Sequence, residues 1–166
     1  MFKLSRLFHR SKAHGTEQGA GQGFDRFHQH FSADLVAPGA TELDLQLCRD
    51  RLGQPIPRPL ADFLRRCNGG YFGGGLLHVM GASRALRHQD LATWNQPFDW
   101  KAALAGFDLH RYVFFADDVF GNQFGYVPGE DDPPVVRFDI QVGEFTEVCP
   151  QLSLFLAEML VEDGSW

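Results

Sequence analysis

Between Leu52 and Phe72 the order of residue types leaves the backbone few choices. Pro57 and Pro59 stand at or near the first turn of a helix, where a missing N–H costs nothing. Leu60, Phe63, Leu64 and Cys67 follow at i, i+3, i+4 and i+7, which places them on one buried face. Arg58, Arg65 and Arg66 stay largely outside that face. Asn68-Gly69-Gly70 reads as the stop, because Asn and Gly tolerate the left-handed backbone of a helix C-cap.

A helix is also expected upstream, from Thr41 to Leu52. Thr41 is its N-cap, Glu42 and Asp44 are acidic in the first turn, and Gly53 supplies the stop. Leu45, Cys48 and Leu52 form its apolar stripe. Downstream the pattern turns to β. LLHVM (76–80) reads as a strand and Leu86 to Trp94 as a short helix. RYVFFA (111–116) is an almost unbroken apolar run, as expected of a central strand. Gly121-Asn122 turns the chain into QFGYV (123–127), and the acidic, Pro-rich loop PGEDDPP (128–134) leads into VVRFDI (135–140). There Val136, Phe138 and Ile140 share one face. A turn at Val142-Gly143 returns through EFTEV (144–148), and Pro150 opens a last helix with Leu152, Phe155, Leu156, Met159 and Leu160 as its stripe. Short turns between successive strands imply an antiparallel meander packed by helices from both ends of the chain. The expected fold is therefore α+β over residues 36–166, with an antiparallel or mixed sheet of four to six strands.

Composition fits that reading, since 16 of the 166 residues are Phe and such density suits a packed sheet. The net charge of −6 is unevenly spread. Lys3, Arg6, Arg10 and Lys12 give residues 1–14 a charge of +4, which leaves −10 for the rest. An acidic body disfavours nucleic acid, whose phosphates need clustered Lys and Arg, and favours a basic partner. Cys48, Cys67 and Cys149 are odd in number and widely spaced, so they suggest neither a disulfide framework nor a zinc site. A reducing cytoplasm is the simplest setting. The scattered charges of MFKLSRLFHRSK argue against a signal peptide, and nothing later approaches a membrane span. Residues 1–35 read as a flexible basic extension and linker, with AHGTEQGAGQGF (13–24) Gly- and Gln-rich. In FDRFHQHF, Phe24, Phe27 and Phe31 have helical spacing, as in a short helix or docking arm.

Catalytic and metal signals are thin. Gly81-Ala82-Ser83-Arg84-Ala85 nearly fits the Gly-x-Ser-x-Gly nucleophile elbow, with His88 or His110 as base and Asp90 or Asp108 as orienter. That elbow needs a large parallel sheet with crossover helices, and this pattern is antiparallel and short. His28-x-His30 has no third ligand at suggestive spacing. Gly19, Gly21 and Gly23 follow no strand, and Gly73-Gly74-Gly75 lacks the Lys-Ser/Thr of a phosphate loop. No metal and no cofactor is expected.

Together these segments resemble the SUKH superfamily, of the Smi/Knr type. The likeness begins at LGQPIPRPLADFLRRCNGGYF (52–72), similar to that family's Gly-x-x-Leu-Pro opening, short helix and Asn-Gly-Gly stop. It continues through LLHVMG (76–81), VFFADDVFGNQFGYV (113–127), PVVRFDIQVGEFTEV (134–148) and LSLFLAEML (152–160). Ile56 stands where the family usually has Leu, and residues 1–35 match nothing in it. In this resemblance Gly53, Pro57, Phe63, Asn68, Gly69 and Gly70 act as folding devices. It implies a SUKH-like fold and a non-catalytic binding role. Bacterial members resemble immunity proteins that neutralise a toxin, often a nuclease, and fungal relatives act as hubs in cell-wall signalling.

The residues expected to meet a partner follow from charge. Asp117-Asp118 and Glu130-Asp131-Asp132 fall on loops at opposite ends of QFGYV, where they would meet Lys and Arg of a cationic toxin. They lack the alternating pattern of a calcium loop. Phe120 or Tyr71 would be the aromatic anchor, and Phe72 is a second contact just past the expected cap. Trp94 and Trp100 read as partly buried core and Trp166 as exposed.

Overall fold

The computed structural model describes residues 36–72, 75–83, 90–96, 100–104 and 106–162. The expectations for residues 1–35, His88 and Trp166 lie outside them.

Strand β1 (Val36–Pro38) leads into helix α1 (Glu42–Leu52). Thr41 caps α1 as its sequence suggests: its hydroxyl accepts the Asp44 N–H at 3.2 Å, and the Asp44 carboxylate accepts the Thr41 N–H at 2.9 Å. Gly53 closes the helix in the left-handed region (φ 67°), with its N–H on the Arg49 carbonyl. Helix α2 (Arg58–Arg66) starts from Pro57 and buries Leu60, Ala61, Phe63 and Leu64.

Contrary to the expectation from sequence, Asn68-Gly69-Gly70 does not cap α2. The helix ends on Cys67, which is already extended (φ −145°, ψ 113°), and Cys67–Phe72 is strand β2. Glycine is needed there for a different reason. Gly69 has φ 83°, and a Cβ on it would lie 2.6 Å from both the Val79 carbonyl oxygen and the Gly81 nitrogen. Gly69 thus lets neighbouring backbones approach, a role its tolerance of left-handed geometry also serves.

The chain continues through β3 (Leu77–Val79), the single-turn helices α3 (Leu91–Trp94) and α4 (Trp100–Ala103), and a 3₁₀ turn at Leu109–Arg111. It then runs through β4 (Val113–Asp118), β5 (Gln123–Tyr126), β6 (Val135–Asp139), β7 (Glu144–Cys149) and α5 (Leu152–Glu162). Of the helix expected over Leu86–Trp94, the described part is α3. Among the described residues the sheet has seven strands in sequential order, each antiparallel to the next, and β4 lies at its centre. This is an α+β meander with slightly more strands than the sequence suggested. The additional outer strand β1 has three residues, one of them Pro38, too few for any periodicity to reveal.

Both faces of the sheet are covered, which accounts for the phenylalanines. On one face α1, α2 and α5 bury Phe63, Phe72, Phe115, Phe124, Tyr126 and Phe155 in the main core. Each such ring contributes roughly 2–3 kcal/mol of burial. On the other, Leu109, Phe114 and Phe138 form a smaller cluster beneath Trp94, Trp100, Tyr112 and Phe145. Trp94 and Trp100 are half-buried, as expected. Cys48, Cys67 and Cys149 are buried thiols, and burial raises that of Cys48 to about 11.

Candidate functional site

The strand registers align six side chains across the second face. Tyr71 pairs with His78, His78 with Asp117, Asp117 with Gln123, Gln123 with Phe138, and Phe138 with Phe145. The β5–β7 end of this row is roofed by aromatic packing, and Trp94 Nε1 donates to Gln123 Oε1 at 2.8 Å. The β2–β4 end stays half open. There the Tyr71 and His78 rings lie 4.9 Å apart, and His78 Nδ1 is 2.8 Å from Asp117 Oδ1. Burial, and secondarily the charge of Asp117, raises the pKa of the Tyr71 phenol.

Beyond the half-open end lie the hairpin turns. Asp118 does not point outward. It is 7% exposed, and its carboxylate accepts from the Phe120 N–H, the Asn122 N–H and the Asn122 side-chain amide, each at 2.9 Å. Those bonds fold the turn tightly and lift Phe120 into solvent, where it is 53% exposed. Val119 is exposed beside it, and its N–H is bound to the Leu76 carbonyl. The β6–β7 turn lies alongside. The Ile140 N–H reaches Asn122 Oδ1 at 3.4 Å, and a Cβ on Gly121 would sit 3.7 Å from Ile140. In that turn Val142 is 64% exposed, and next to it Gly143 packs under the Phe107 ring.

Five of the nine exposed large apolar side chains among the described residues, namely Phe107, Val119, Phe120, Ile140 and Val142, therefore belong to one end of the sheet. Water should reject such a ridge unless something covers it. The chain segment that carries all five is acidic. Residues 106–162 carry eleven carboxylates against Arg111 and Arg137, a net −9.

Other expected contacts go elsewhere. Phe72 is 2% exposed and packs on Phe63, with ring centroids 5.5 Å apart. Asp132 holds the start of α5, accepting from the Ser153 N–H at 2.8 Å and the Ser153 hydroxyl at 2.6 Å. Glu130 and Asp131 are exposed at the opposite end of β5, as expected, but they face Arg49, Arg58 and Arg65 across a cleft of about 320 Å³. Their charge is partly answered within the molecule. Phe120 stands out in the sequence as an aromatic beside a turn glycine, but its ridge neighbours do not. The available signal was apolar residues at hairpin tips, where turn chemistry favours polar ones.

Around the near-elbow, Ser83 Oγ accepts from Asn68 Nδ2 at 2.9 Å. Asp90 caps α3 through the Thr93 N–H at 2.8 Å and pairs with Arg51 at 3.1 Å, so it is committed away from Ser83. His110 and Asp108 are exposed beside the 3₁₀ turn. No cluster of three or more His, Cys, Asp or Glu that could hold a metal occurs among the described residues. Nor is any helix there long and apolar enough to cross a membrane.

Residues 39–158 match the sequence profile of the SMI1 / KNR4 family (SUKH-1). No curated protein matches the chain by sequence.

Proposed function

Because this chain belongs to the SMI1 / KNR4 family (SUKH-1), we propose that it is a non-catalytic cytoplasmic protein-binding module that neutralises a toxin by stoichiometric binding. The observation that carries the reading is the ridge of Phe107, Val119, Phe120, Ile140 and Val142, carried by the acidic segment 106–162. An exposed aromatic anchor with apolar neighbours and a charged surround is the usual anatomy of a binding hot spot. Phe120 is that anchor, and Asp117 and Tyr71 on the half-open part of the sheet add a charge and a second aromatic. The partner is a basic protein, and a nuclease domain meets that description because it must hold phosphates. Glu130 and Asp131 extend the acidic field at the other end of β5, where they act on encounter rather than on the docked contact.

The test is co-expression with toxins encoded beside the gene. Protection that is lost in Phe120→Asp, with the fold intact by circular dichroism, supports the reading. Failure to protect against or bind any of them counts against it. Binding to a host protein without protection would instead favour a regulatory scaffold of the kind its fungal relatives suggest.

A further inference from the structure

The two edges of the sheet are built differently. At one, β1 has three residues and ends in Pro38, so it offers little template for another strand. At the other, β7 is the outermost strand among the described residues. From Glu144 to Glu147 it runs in unbroken register against Asp139 to Val136, and a bulge at Val148 then ends the regular ladder. Glu144, Thr146 and Glu147 are exposed along it, and the exposed Val142 stands two residues before Glu144.

An open edge of this kind either pairs with another chain or is guarded against doing so. Its charges decide which partner fits. Two copies of β7 laid edge to edge would set glutamates of one against glutamates of the other, which disfavours a dimer built this way. A strand carrying Lys or Arg turns the same glutamates into cross-strand ion pairs. Glu144 and Glu147 are three residues apart and so project to opposite faces, which asks for cations at that spacing.

We propose that the Glu144–Glu147 edge of β7 accepts an extended segment of a basic protein partner as an eighth strand, with Lys or Arg placed three residues apart. The inference rests on the reading of the chain as a protein-binding module and adds the mode of docking: main-chain pairing supplies affinity and the two glutamates supply selectivity.

The probe is a nine-residue peptide of repeated Lys-Val-Thr, titrated against the full chain with amide hydrogen exchange as the second readout. Repeated Glu-Val-Thr and repeated Lys-Gly-Gly are the controls, the latter keeping the charge while disfavouring a strand. Saturable binding of the Lys-Val-Thr peptide with new protection confined to 144–147 is expected, as is at least tenfold weaker binding of both controls. Glu144→Lys/Glu147→Lys should reverse the preference toward Glu-Val-Thr; both glutamates are exposed, so the melting temperature should hold. Equal binding of Lys-Gly-Gly, protection elsewhere, no binding, or a wild-type dimer that occludes β7 would each overturn the proposal. A toxin that binds through Phe120 while β7 stays unprotected would leave the proposed function standing and remove this inference alone.

Discussion

Asn68 Oδ1 accepts the Ala82 N–H at 2.6 Å while its Nδ2 donates to Ser83 Oγ at 2.9 Å, so one buried amide ties β2 to the segment leaving β3. The Asn-Gly-Gly motif and the apparent nucleophile elbow are thus two halves of one structural pin. Asn68→Ala strands the Ala82 N–H in a buried position and should cost roughly 2–3 kcal/mol. Ser83→Ala removes only the acceptor of the second bond and should cost about 1 kcal/mol or less, with generic ester turnover identical to wild type. Urea denaturation of both variants checks the ranking, and any turnover lost with Ser83 would reopen the hydrolase reading.

Gly69→Ala tests why the motif is glycine-rich. The residue has φ 83°, and a Cβ would meet Val79 and Gly81 backbone atoms at 2.6 Å, which have no flexible side chain to move. A cost on the order of 2–4 kcal/mol is expected, against about 1 kcal/mol or less at Gly53, whose left-handed position has open space around it. If Asn-Gly-Gly were a simple cap, the two substitutions would cost the same.

The helices were legible because their signals are local. Thr41, Asp44 and Gly53 specify α1 by backbone chemistry within four residues of each end, and the stripe of α2 needs only a period of 3.6. The meander order was legible because each turn carries its own residues. The role of Asn68-Gly69-Gly70 was not, since tolerance of positive φ serves a cap and a crowded strand equally, and only Val79 and Gly81, ten or more residues away, distinguish them. Phe120 could be singled out as an aromatic beside a turn glycine. The ridge could not, because the turn that carries Phe120 and the turn that carries Ile140 come side by side only after β5 and β6 pair. The inward aim of Asp118 was hidden for a similar reason: a carboxylate in an acidic run looks solvated until Asn122 folds back onto it.

Lys101 gives a pH dependence with a definite sign. It is 3% exposed, and its ammonium lies 3.1 Å from Asn95 Oδ1 and 5.2 Å from the Phe114 ring centroid. Burial pulls its pKa down to about 8. The unfolded chain therefore binds more protons between pH 8 and about 10.4, so this residue makes stability rise with pH across that window, by up to a few kcal/mol. The Cys48 thiol, raised to about 11, acts in the opposite direction over an overlapping range. The clean measurement is the difference between wild type and Lys101→Met. The variant should be more stable by about 1–3 kcal/mol at pH 7, with the gap closing by pH 10. A gap independent of pH would mean that the lysine is not desolvated.

Asp118 should control Phe120 without touching the partner. Burial raises its pKa, while the hydrogen bonds from Asn122 and Phe120 pull the other way. Because the folded pKa lies above the unfolded one, the native state binds more protons between the two. This group then favours folding as pH falls through that window and gives the advantage up as pH rises. Asp118→Ala leaves the buried Asn122 amide groups without their acceptor, so a loss of about 2 kcal/mol is expected. The turn that lifts Phe120 loosens with it, and partner affinity should fall. What separates this from a direct charge contact is ionic strength. A carboxylate that meets a partner cation changes the salt dependence of association when removed, whereas one that only positions Phe120 leaves that slope unchanged. Asp118→Ala should therefore weaken binding with the wild-type salt slope, and Asp117→Asn should flatten the slope at nearly unchanged stability. The opposite pattern would place Asp118, rather than Asp117, at the interface.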